Sequence, residues 1–266
     1  MPDNYTWIFA AIGVLFIGLS KAGFGGGLGM LTTPLCALAF GPKEAIGILL
    51  PLLCAGDAFS MYFYWSKWDK RNLKFLLPAV AVGVVIGVQM IGLFSKRQFN
   101  IVIGALAVTF VLFQLFKHVI LKAEGTFRPS HKTGIPFGLA MGVTSTFAHG
   151  AGPVGAMYLI PQRLPKELFV GTTILIFFWV NWIKMPFFVV DQSMVNLPLL
   201  APEALINWGT LKTSLLYLPL VPLGVLLGVW LNRRIPEALF LKCVYVLTFL
   251  AGVQLILNFD LVGWLR

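Results

Sequence analysis

The chain has 266 residues, 58% of them hydrophobic and only 11% charged, with a formal net charge of +10. Soluble domains carry roughly 25% charged and about 45–50% apolar residues, so this chain has too few charges to cover a water-facing surface, and the bilayer is its natural solvent. That excludes a cytosolic or secreted disulfide-stapled domain. It also excludes nucleic acid as the partner of the positive charge, because the basic residues fall in short loops between apolar runs, the positive-inside pattern.

The segment Met1–Thr6 contains no Lys or Arg, so no cleavable leader is predicted and the first apolar run is expected to be retained. That run, Trp7–Phe40, covers 34 residues, well beyond the ~20 needed to cross a bilayer. It is interrupted at Ser20-Lys21-Ala22-Gly23-Phe24-Gly25-Gly26-Gly27, where consecutive glycines are poorly suited to a lipid-facing helix. Apolar runs follow at Glu44–Trp65, Leu73–Phe94 and Phe99–His118, and a basic loop around Lys117–Thr133 bisects the chain. The second half begins with Ile135–Ile160, interrupted over Thr144–Pro153, and continues through Leu168–Val190, Thr213–Leu231 and Pro236–Asn258. Cys36, Cys54 and Cys243 all lie inside apolar runs without C-x-x-C spacing, so no metal or redox motif is implied.

The halves repeat one plan. Gly41-Pro42-Lys43-Glu44-Ala45-Ile46-Gly47 is similar to Leu164-Pro165-Lys166-Glu167-Leu168-Phe169-Val170-Gly171, and Gly83–Val88 is similar to Gly224–Val229. The predicted organisation is a first repeat over 1–120, a basic cytoplasmic linker over 121–133 and a second repeat over 134–266. Paired interruptions in corresponding segments of two repeats point to a transporter binding site.

Loop charge selects the topology. If each interrupted run crosses the membrane, Lys67, Lys70, Arg71, Lys74, Lys117, Lys122, Arg128 and Lys132 face Lys43, Lys96, Arg97, Arg163, Lys166, Arg233 and Arg234, and there is no bias. If each is a hairpin that returns to its starting side, Arg163, Lys166, Arg233 and Arg234 join the first group. The other side then keeps Lys43, Lys96 and Arg97, along with the acidic stretch of Asp191 and Glu203. The positive-inside rule favours the hairpins. The predicted fold is therefore an all-α polytopic membrane protein of two inverted-topology repeats, each a broken or re-entrant helical hairpin plus three transmembrane helices. Both termini are predicted to be periplasmic.

Unwound hairpin tips expose helix N-termini, which suit anions. Gly25 and Gly26 allow close backbone approach at the first tip, where Lys21 also sits. Ser145, Thr146 and His149 supply donors at the second. Asp57 lies mid-span, and an intramembrane carboxylate is by default a functional residue. The repeat register pairs Asp57 with Asn181 and Ser60 with Lys184. Two readings stay open: Asp57 and Lys184 form a structural ion pair across the halves, or Lys184 meets an anionic substrate while Asp57 carries the coupling ion, a proton. No H-E-x-x-H, G-x-S-x-G or catalytic carboxylate pair is present, so no enzyme activity and no cofactor are expected.

The chain resembles the TauE/SafE (sulfite exporter, TSUP) family. The resemblance rests on Gly18–Gly27 with Pro34, on Asp57, on Ser145–Gly152, and on Asn181 with Lys184, and it covers essentially the whole chain. It implies an inner-membrane permease, driven by an electrochemical gradient, for sulfite or organosulfonate anions, with export the expected direction. In one respect the chain departs from an even duplication: the second tip carries His149 where the first has Gly25, so the tips are not chemically equivalent. An anion sensor without transport and a cation carrier built on Asp57 are the alternatives. Oligomeric state is left open.

Overall fold

The computed structural model describes residues 4–21, 29–120, 129–191, 194–195, 203–234 and 237–258. Its first five helices are α1 (Asn4–Lys21), α2 (Gly29–Phe40), α3 (Pro42–Phe63), α4 (Lys70–Leu93) and α5 (Lys96–Ile120). The second half supplies α6 (His131–Ala148), α7 (Ala151–Leu159), α8 (Lys166–Val189), α9 (Trp208–Tyr217), α10 (Leu220–Arg234) and α11 (Glu237–Leu257). Helices are the expected outcome, because backbone groups in hydrocarbon must be hydrogen-bonded within their own segment. Ends are capped where the chain meets polar surroundings. Asp69 accepts from Arg71 N at the start of α4, and Ser130 with Thr133 and Asn207 with Thr210 form capping boxes.

Among the described residues five stretches are long and apolar enough to cross a membrane: Pro42–Tyr62, Lys70–Leu93, Lys96–Phe116, Glu167–Val189 and Trp208–Leu227. The last combines α9 and α10, so the predicted run Thr213–Leu231 begins earlier than expected and is divided at Leu218-Pro219, where proline removes a helix hydrogen bond. The remaining predicted span, Pro236–Asn258, corresponds to the 21 residues of α11.

Each interrupted run folds back on itself. Trp7 and Phe40, at opposite ends of the first run, have ring centroids 5.8 Å apart, and a methyl group on Gly13 would lie 3.1 Å from Cys36 Sγ. In the second run Phe137 packs on Tyr158 at 5.3 Å. The α1/α2 and α6/α7 pairs are therefore antiparallel. Gly25 and Gly26, between α1 and α2 in the sequence, lie outside the described residues. The second interruption is much narrower than its sequence suggested: only His149 and Gly150 leave the helical path. Thr144 and Thr146 instead bond back to Ala140 O and Gly142 O, at 2.7 and 2.8 Å. Their hydroxyls take helix carbonyls as partners, so the polar residues stay helical.

The most extensive packing joins α4 to α6. Gly134, Gly138 and Gly142 form a ridge of small residues at four-residue spacing on α6. Added methyl groups there would meet Phe75 Cβ at 2.6 Å, Ala79 Cβ at 2.6 Å and Gly83 C at 2.7 Å, so the two helices run parallel in near backbone contact. Packing of α1 on α10 follows the same pattern, with Gly18 against Gly224. The helices α5 and α11 pass antiparallel, Gly104 meeting Ile256 and Val108 meeting Gly252.

At one end of the molecule Lys67 packs on Gly171, Lys67 pairs with Glu167 at 3.4 Å, and Asn72 donates to Gln162 Oε1 at 2.8 Å. At the other end Gly47 packs on Leu205, Lys43 pairs with Glu203 at 2.7 Å, and Ile206 N donates to Phe188 O at 2.8 Å. The start of α3 thus lies by the end of α8, and the reverse holds at the opposite end, so these two helices are antiparallel as well.

Candidate functional site

Four polar residues of the spans converge where α3, α6, α8 and the α6/α7 turn meet. Asn181 and Lys184 are three residues apart on α8, so they share a helix face. Asp57 on α3 and Lys184 are both fully buried, and Asn181 and Ser145 nearly so. Asn181 Nδ2 donates to Asp57 Oδ2 at 2.6 Å. Lys184 Nζ donates to Ser145 O and Ser145 Oγ, each at 3.0 Å, and lies 3.0 Å from His149 Nδ1.

These contacts assign the histidine. His149 Nε2 lies 3.1 Å from Ile46 O, and a carbonyl only accepts, so Nε2 carries the hydrogen. Nδ1 then accepts from the Lys184 ammonium, and His149 is the neutral Nε2–H tautomer. The three hydrogens of the ammonium meet three acceptors, all of them neutral. Ser145 lies in the last turn of α6, where the helix carbonyls carry partial negative charge and favour a cation. Ser145 O is shared, accepting from His149 N at 2.9 Å as well. Asp57 accepts from Asn181, Lys184 is held by the second tip, and the two charged groups also interact electrostatically.

His149 takes a left-handed backbone, φ 49° and ψ 29°, a conformation that histidine tolerates better than most residues. It is held there by contacts from the first half. The Ile46 carbonyl accepts from the ring, and Thr33 Oγ1 on α2 donates to Ala148 O at 2.8 Å. Thr33 was not among the sequence candidates. The signal that could have found it is the Thr32-Thr33 pair inside an otherwise apolar stretch. Replacing Thr33 by valine leaves the buried Ala148 carbonyl without this donor, with an expected cost of about 1–2 kcal/mol. Thermal unfolding of the purified protein measures it, and Thr33→Ser should restore the wild-type midpoint.

The other sequence candidates are placed differently. Thr146 faces α4: a methyl group on Gly87 would lie 2.8 Å from Thr146 Cβ, and its hydroxyl stays within α6. It is not brought to Lys184. Lys21 ends α1, and its side chain lies outside the described residues, as do Gly25 and Gly26. Among the described residues no group of three or more His, Cys, Asp or Glu is arranged to hold a metal ion.

Residues 10–255 match the family model described as sulfite exporter TauE/SafE. The chain is also 27% identical over 194 residues to a probable inner membrane transporter protein TsaS of Comamonas testosteroni, covering 73% of this chain and 74% of that protein. No solved structure matches. With a helical fold containing several apolar helices of membrane-spanning length and a family match over nearly its whole length, the chain belongs to the sulfite exporter TauE/SafE family of membrane transporters.

Proposed function

We propose that the protein is a secondary transporter of the inner membrane, an exporter of small sulfur-containing anions such as organosulfonates or sulfite. The observation that carries this reading is Lys184, a fully buried ammonium whose hydrogen bonds among the described residues all go to neutral acceptors of a helix turn. An oxyanion is the chemistry that complements such a group. Ser145 and His149 would hold further substrate oxygens, with the first tip, including Lys21, Gly25 and Gly26, on the opposite side. Thr146 supports the tip through its packing on α4. Asp57, bridged by Asn181, is the acidic group of the site and the proposed coupling residue, with the proton as coupling ion.

The architecture we propose is two inverted-topology repeats, 1–120 and 134–266, joined by a basic linker on the cytoplasmic side, with both termini periplasmic. The antiparallel packing of α3 on α8 and of α5 on α11 supports it, since these helices occupy corresponding places in the two halves. Asp57 and Asn181 also correspond, and they touch each other. A contact between equivalents is what an axis relating the repeats would produce, and it supports a site near the bilayer midplane. Alternating access then rocks one repeat against the other around it.

The test is flux in proteoliposomes under an imposed pH gradient, with sulfite, sulfoacetate, taurine and sulfate. Protein-dependent flux of a sulfonate or sulfite that responds to the gradient is the expected result. Binding without flux would instead identify a sensor, and flux of a cation alone would identify a carrier built on Asp57.

A further inference from the structure

We propose that the substrate anion reaches Lys184 by displacing the His149 ring, and that His149 then takes up the proton that accompanies the anion. The inference rests on the anion-carrier reading above and assigns coupling to His149 rather than to Asp57 alone.

The argument begins with the saturation of Lys184. Its three donors all have acceptors, so an anion gains the ammonium only by replacing one of them. Ser145 O belongs to the backbone of α6 and also closes the helix end by accepting from His149 N; moving it would unwind the helix. Ser145 Oγ sits on a short side chain in that same turn. The His149 ring turns about two side-chain bonds at a residue already outside the helix, so it is the acceptor most readily displaced.

Displacement changes what the ring can hold. While Lys184 donates to Nδ1, that nitrogen's lone pair is occupied and the ring is neutral. Once the anion takes the ammonium, Nδ1 is left beside a negative charge. A proton from water adds to that lone pair, Nδ1 becomes a donor to the anion, and the ring gains a positive charge while Nε2–H keeps Ile46 O. No covalent bond to the anion forms. On release the proton leaves Nδ1 and the ring returns to Lys184. By linkage, proton and anion each raise the other's affinity by the same factor. The titratable group facing the ring is Lys184 on α8, and Asp57 and Cys54 on α3 act electrostatically on Lys184. The described residues of α6 and α7 that border the turn, Ser145, Ala148, Gly150 and Ala151, do not titrate near neutral pH.

The experiment uses the full chain with sulfoacetate, whose acid groups stay ionised near neutral pH. Wild-type protein in weakly buffered detergent solution should take up about one proton per sulfoacetate bound. In proteoliposomes His149→Gln keeps a donor for Ile46 O and an acceptor for Lys184. It should slow both counterflow and gradient-driven uptake, the latter by at least about 10-fold more. If the glutamine variant does not fold, imidazole nitrogen NMR of His118→Gln/His131→Gln protein, which leaves one histidine, should show Nδ1 gaining a proton on sulfoacetate addition. Equal loss of both fluxes, binding without proton uptake, or an unchanged Nδ1 signal would overturn the inference while leaving the carrier intact. A wild-type protein that moves none of sulfite, sulfoacetate, taurine and sulfate would overturn the carrier reading and this inference together.

Discussion

Lys184→Ala is expected to reduce anion flux at least about 100-fold, measured as counterflow in proteoliposomes matched for protein content. A charge-assisted hydrogen bond to an anion in a water-excluded site contributes about 3 kcal/mol, and each 1.4 kcal/mol corresponds to about tenfold in affinity or rate. The ammonium also sets the sign of the charge that the site accepts. Insertion and folding should survive, because the acceptors left behind are not charged and Ser145 O keeps its bond from His149 N. Lys184→Met separates charge from volume: it fills the same space, so its flux should match the alanine variant while its thermal midpoint stays closer to wild type. Flux retained in either variant would remove Lys184 from the binding site.

The second large effect is structural. Gly142→Val is expected to destabilise the protein by about 3 kcal/mol, the upper end of overpacking costs. Its Cβ would run into the backbone of α4 at Val80 and Gly83, neither of which can yield without separating the helices. Because α6 carries Ser145 and leads into His149, a displaced α6 also withdraws all three acceptors from Lys184, so flux should fall with stability. Gly155→Ala is the comparison. Its Cβ would meet the flexible end of Met141 at 3.0 Å, and the stability should change by less than about 1 kcal/mol. The two variants are ranked by thermal unfolding in detergent. Equal midpoints would mean that the α4/α6 contact is looser than the structure shows.

Much of the site was legible because polarity inside a membrane is conspicuous. Asp57, Ser145, His149, Asn181 and Lys184 each stand out from an apolar run, and each proves to be a hydrogen-bond partner of another: Lys184 of Ser145 and His149, and Asn181 of Asp57. The pairing among them was not legible. An aspartate and a lysine at corresponding depths suggest a mutual interaction, and the two do interact electrostatically, but the hydrogen bonds of Lys184 go to the last turn of α6 and its cap, and Asp57 receives an amide. That choice depends on where α6 sits, and α6 is placed by its glycine ridge against α4. The ridge was readable as Gly134, Gly138 and Gly142 at four-residue spacing, but what it packs on was not. Thr146 illustrates the same limit: one residue along from Ser145, it lies on the α4 face.

By itself the sequence determined the solvent, the helical runs, the place of the second interruption and the family, because each follows from local hydropathy or short motifs. The tertiary structure alone decided how narrow the second interruption is, which acceptors surround Lys184, and that Thr33 and the Ile46 carbonyl brace the turn from the other half. The physical reason is that hydropathy belongs to each residue separately. A buried polar group, by contrast, takes whichever partner the packing of distant helices brings within hydrogen-bond reach.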